Sequence, residues 1–105
     1  MLSVVDYGVN VLGIDHLIVC GHYGCGGVKA AMGPEFGGPA SYWIREIRDI
    51  ARMHRDELDA IHDEEARFDR LVELNVAEQA FDLSRTAIVR DAWAKGRKVH
   101  VHGWV

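Results

Sequence analysis

"HLIVCGHYGCGGVKAAM", residues 16–32, decides how the chain reads. "HLIVC" (16–20) is a short, continuous apolar run bounded by "GID" and by a glycine-rich loop, the pattern of a strand buried on both faces. "GGVKAAM" (26–32) opens a short helix straight out of the glycines. Between strand and helix stand His22 and Cys25, three apart. In an open α/β sheet ligands bind beyond the carboxyl ends of strands, where these residues sit. A neutral imidazole and a thiolate are donors that zinc prefers, and the flanking glycines let the backbone bend so that both side chains can turn to one point. His22 and Cys25 are therefore the candidate metal ligands.

Other chemistries fit the loop less well. Its spacing is neither G-x-G-x-x-G nor G-x-x-x-x-G-K-[ST], which disfavours a phosphate cradle. A Cys–His nucleophilic pair is chemically feasible, but side chains three apart in a tight loop more often meet at a metal. Cys20, inside the apolar run, reads as an inert core thiol. His100 and His102 share one face of a later strand and read as packing residues.

Outward from the loop, Leu2, Val5, Val9 and Leu12 mark one face of a helix over 2–12, with Gly13 as its stop. "GPEFGGPA" (33–40) is a loop by its Gly and Pro content. A periodic helix over 41–55 runs through Ile44, Ile47, Ala51 and His54. Its series Arg45, Arg48, Arg52 and Arg55, interleaved with acids, reads as a solvated, salt-bridged face. An acidic stretch over 56–65 precedes a helix over 66–82, with Phe68, Leu71, Val72, Val76 and Leu83 near one stripe. Asn75 and Gln79 are expected to bond to neighbouring backbone. A further helix over 84–95 ends at "KG". "KVHVHGWV" (98–105) alternates strictly, with Val99, Val101, Gly103 and Val105 on one face and His100, His102 and Trp104 on the other. Two strands more than 70 residues apart are candidates for parallel pairing. The expectation is an α/β chain of two strands and about four to five helices, a single partial domain over 1–105.

Composition narrows the function. Of 105 residues, 49% are hydrophobic and 27% charged, an ordinary globular balance. A net charge of −4 argues against a nucleic-acid partner, and no apolar run suits a membrane span. Two cysteines do not make a disulfide framework, and the N-terminus is a poor signal peptide, so a cytoplasmic location is expected.

"SVVDYGVNVLGIDHLIVCGHYGCGGVKAAM" closely resembles the second metal-ligand segment of β-class carbonic anhydrases. "WIREIRDI", "ELNVAEQ" and "AWAKGRKVHVHGWV" resemble later segments of that family in the same order. The resemblance implies a parallel-sheet α/β fold, assembly into dimers or larger homo-oligomers, and a Zn2+ enzyme converting carbon dioxide to bicarbonate. It makes His22 and Cys25 two of the family's zinc ligands. The family's other ligand segment, Cys-x-Asp-x-Arg, carries a second thiolate and an orienting Asp–Arg pair, and it occurs nowhere in these 105 residues. The expectation is thus a truncated chain with impaired activity and no catalytic Asp–Arg pair of its own. The alternative is a non-catalytic fragment serving as an interaction or oligomerisation module.

Overall fold

A computed structural model describes residues 1–35 and 37–105. Phe36, inside the expected 33–40 loop, lies outside them. Two compact units form: Met1–Cys20 with Ala77–Trp104, and Gly21–Val76 with Val105.

In the first unit, helix α1 (Leu2–Asp6) runs into a π-helical turn (Tyr7–Val11), where the Leu12 N–H donates to the Tyr7 carbonyl at 3.0 Å. The wider π turn breaks the 3.6-residue period that placed four apolar side chains on one face. Val9 is fully buried, but Leu2 and Leu12 stay exposed. Strand β1 (His16–Cys20) pairs in parallel with β2 (His100–Trp104), in the register His16↔His100 to Cys20↔Trp104. The core joins Val9, Leu17, Val89, Ala92 and Val99. Helix α6 (Ala87–Ala94) supplies two of these, three residues apart on one face. Arg97 donates to the Val9 carbonyl at 2.5 Å and to the Ile14 carbonyl at 3.3 Å, satisfying backbone acceptors where the π turn ends.

The strand was expected to be buried on both faces, with Cys20 as a core thiol. Only Leu17 of β1 is buried, and Cys20 is exposed. Strand alternation explains this: Leu17 and Val19 point toward the core, so His16, Ile18 and Cys20 take the opposite, exposed face. On that side the imidazoles gather. His16 stacks on His100 with ring centroids 5.0 Å apart, and its Nδ1 is 3.0 Å from His102 Nε2. The rings pack on one another at the surface and not in a core.

In the second unit, α2 (Gly26–Met32), α3 (Pro39–Met53), α4 (Arg55–Asp59) and the larger part of α5 (Glu64–Ser84) enclose Val28, Ala31, Ile47, Ile50, Leu58, Leu71, Val72 and Leu74. Pro39 opens α3, where a missing N–H costs nothing. Asp63 accepts from the Ala66 N–H at 2.9 Å, an N-cap bond that begins α5. The six α-helices among the described residues exceed the expected number because α4 forms inside the acidic stretch. It buries one residue, Leu58, too few for a periodic signal. Arg48 also departs from its expected solvated role. It is half-buried and donates to the Ala30, Gly33 and Pro34 carbonyls, closing the C-terminal end of α2. Arg52 does form the expected surface ion pair, 3.2 Å from Asp49. Asn75 Oδ1 is buried without a hydrogen-bond partner among the described residues. Mid-helix, neighbouring N–H groups are already committed to the helical ladder, so none is left for Asn75 Oδ1.

Candidate metal centre

The loop of residues 21–25 leaves the end of β1 and enters α2, and α5 is the platform beneath it. At Gly21, a Cβ would lie 2.5 Å from Val76 Cγ2 and 3.5 Å from Val72 Cγ1, so only glycine lets the backbone lie so close to the helix. At Gly24 the chain turns with φ of 70°, a left-handed conformation that glycine adopts without a Cβ penalty. Cys25 then caps α2 in extended conformation, and its half-buried side chain packs against the core of the second unit. His22 is exposed.

The His22 imidazole lies with Nδ1 2.9 Å from the Tyr23 carbonyl oxygen. A carbonyl only accepts, so Nδ1 carries the hydrogen and Nε2 keeps the lone pair that binds a metal. Tyr23, between the two candidate ligands, reaches back to α5. Its hydroxyl donates to Glu73 Oε2 at 2.5 Å, and Arg70 Nη1 donates to Glu73 Oε1 at 3.1 Å. Arg70 Nε in turn donates to Glu57 Oε1 at 2.6 Å. The Tyr23 hydrogen bond, then Arg70, hold the Glu73 carboxyl below its ordinary value. That same bond, with some desolvation and the Glu73 and Asp69 charges, pushes the Tyr23 phenol up. The pair thus keeps a protonated donor facing an ionised acceptor. Sequence reading passed over this chain because Tyr23 and Glu73 are fifty residues apart and carry no motif.

His22 and Cys25 share one loop; an imidazole nitrogen and a thiolate sulfur are donors of the type zinc takes, and the two could hold two of four tetrahedral positions. Among the described residues, no group of three or more His, Cys, Asp or Glu is placed to hold a metal. A cavity of about 600 Å³ in the same unit lies elsewhere, lined by Met32, Arg45, Arg48 and Leu58 among others, and touches neither His22 nor Cys25. Four arginines and three carboxylates, Glu35, Asp49 and Asp59, line it together.

Comparison with known proteins places this geometry in a family. The family described as "Carbonic anhydrase" matches the chain over residues 1–105. A carbonic anhydrase of Emericella nidulans is 48% identical over 104 residues, covering 99% of this chain and 46% of the relative. One from Pseudomonas aeruginosa is 33% identical, covering 96% and 46%. The Coccomyxa β-carbonic anhydrase, solved in complex with acetazolamide, superposes with a TM-score of 0.93 at 36% identity over 97% of this chain and 46% of its own. A tetrameric β-carbonic anhydrase from Sordaria macrospora gives 0.87 at 33% identity, over 98% and 53%. The chain therefore spans about half the length of the relatives it matches. With the whole chain matched and its parallel strand pair, loop and helices superposed, the protein belongs to the carbonic anhydrase family and has part of the β-carbonic anhydrase fold.

Proposed function

We propose that this chain carries the His–Cys half of a zinc centre for the reversible hydration of carbon dioxide to bicarbonate and a proton. The observation that carries the reading is the loop itself: within a family match over the whole chain, His22 presents a free Nε2 three residues from Cys25. Zinc, when bound, supplies Lewis-acid activation of water at neutral pH. His22 and Cys25 hold two positions, and the remaining protein ligands and the orienting Asp–Arg pair come from outside residues 1–105 or from a partner chain. This chain by itself therefore hydrates carbon dioxide far more slowly than a complete family member.

Assembly is part of the same proposal. Leu2, Val4, Val11 and Leu12 are exposed by 52%, 75%, 64% and 63%, an apolar surface suited to a second copy. The tetrameric Sordaria relative supports a homo-oligomer. The non-catalytic alternative would use that same surface as an interaction module. A cytoplasmic location belongs to the same reading, since a chain with two cysteines has no disulfide framework to suit an oxidising compartment.

Zinc titration by calorimetry tests the reading, on the parent, His22→Ala and Cys25→Ser. One site per chain, lost or strongly weakened in both variants and weakening as pH falls, is expected, because protons compete for both ligands. Zinc binding in both variants equal to the parent overturns it. Stopped-flow hydration on the zinc-loaded chain tests the impairment, and a rate typical of intact enzymes refutes it.

A further inference from the structure

The ligand loop is tied to α5 at two points one helical turn apart. Gly21 rests on Val76, and the Tyr23 hydroxyl is bonded to Glu73. Glu73 and Val76 lie on one helix face at i, i+3 spacing. The first contact sets the height of the loop above the helix. The second sets the direction of its middle residue, the one whose carbonyl accepts the His22 Nδ1–H.

An exposed imidazole turns freely unless something holds it. Here the Tyr23 carbonyl accepts from Nδ1. That carbonyl is only as well placed as Tyr23 itself, a residue 49% exposed that gains little from core packing. What anchors the residue is its phenol. The bond to Glu73 is short and charge-assisted. Glu73 is itself fixed through its other oxygen by Arg70, and Arg70 by Glu57 on α4. The order is α4, α5, Tyr23 and the His22 imidazole, joined by hydrogen bonds at the Tyr23 phenol on one side and at the Tyr23 carbonyl on the other.

We propose that Tyr23 and Glu73 are positioning residues for the metal centre: through the Tyr23 carbonyl they aim His22 Nε2 at the ion that Cys25 also holds. The proposal rests on the reading of His22 and Cys25 as zinc ligands. Outer partners of a ligating histidine fix its tautomer and orientation, and their loss costs about 10–100-fold in metal affinity.

The experiment uses the full chain, with zinc affinity measured by competition against a chromophoric chelator and the cobalt(II)-loaded protein followed by its thiolate-to-metal absorption. Tyr23→Phe keeps the ring and removes only the hydroxyl. Glu73→Ala removes the acceptor, and Glu73→Gln keeps a carbonyl that accepts from the phenol. Expected are a loss of about tenfold or more in Tyr23→Phe and Glu73→Ala, no further loss in the double variant, and recovery of most of the affinity in Glu73→Gln. The cobalt spectrum should change in the first two, beside whatever stability the lost Tyr23–Glu73 bond contributes. A merely structural role moves the melting temperature and leaves the spectrum alone. Affinities and spectra of Tyr23→Phe and Glu73→Ala equal to the parent overturn the proposal, as does additive loss in the double variant. His22→Ala and Cys25→Ser in the same series separate the two ideas. If they lose zinc while Tyr23→Phe and Glu73→Ala do not, positioning alone fails. If they bind like the parent, the ligand assignment fails and positioning falls with it.

Discussion

At the scale of single residues, two positions at the loop of residues 21–25 make direct claims. Gly21 lies so close to α5 that a methyl group would overlap Val76. Gly21→Ala must push the loop or the helix away, at a cost of about 1–3 kcal/mol for overpacking. Urea unfolding of Gly21→Ala should show that loss, and adding Val76→Ala should recover part of it; unchanged stability in Gly21→Ala would contradict the close approach. Glu73 makes a claim about pH. Its carboxyl titrates below the ordinary value of 4.5 in the folded chain, chiefly because Tyr23 and Arg70 bond to the ionised form. A lowered folded value means stability that is present above the unfolded value and lost as pH falls through the folded one. The parent should therefore exceed Glu73→Gln in stability at neutral pH. That gap should close in acid, below the ordinary carboxylate range. Chemical unfolding at a series of pH values checks it, and a gap independent of pH counts against the bond. Tyr23 has the opposite sign. Its raised value means its contribution persists through neutrality and is lost only as pH rises through the folded value.

At the scale of elements, α5 is the member on which the loop of residues 21–25 depends. Within the second unit it contributes Leu71, Val72 and Leu74 to the core and presents Glu73 and Val76 to the loop. Leu71 has no exposed surface. Leu71→Ala should cost about 2–5 kcal/mol, the lost burial plus the cavity left behind. Thermal or urea unfolding measures this. A loss under about 1 kcal/mol would show that α5 is not packed as described. The helix was legible from Phe68, Leu71, Val72 and Val76, which recur near one stripe, and its observed span, Glu64–Ser84, extends the expected one by two residues at each end. The N-cap bond from Asp63 accounts for the earlier start. What the stripe did not include is Leu74, because α5 is surrounded enough to bury more than one narrow face.

At the scale of the whole molecule, the exposed apolar residues of α1 and the π turn predict association. Light scattering at micromolar concentration should give a dimer or larger species, and Val4→Glu with Leu12→Glu should shift it toward monomer by burying charge at the contact. A compact, stable parent monomer would refute this. The sequence by itself determined the strand His16–Cys20, its parallel partner, the glycine loop with His22 and Cys25, the family, and most helices, because periodicity, caps and glycine turns act over a few neighbouring residues. Only the tertiary structure decided the rest. Cys20 lies on the exposed face of its strand, Arg48 closes the end of α2, and Tyr23 finds Glu73 fifty positions away. An apolar run does not say which of its faces is covered, and a surface arginine and a capping arginine look alike in one dimension. Which donor meets which acceptor is set when helices pack, since a hydrogen bond needs its partners within about 3 Å whatever their distance along the chain.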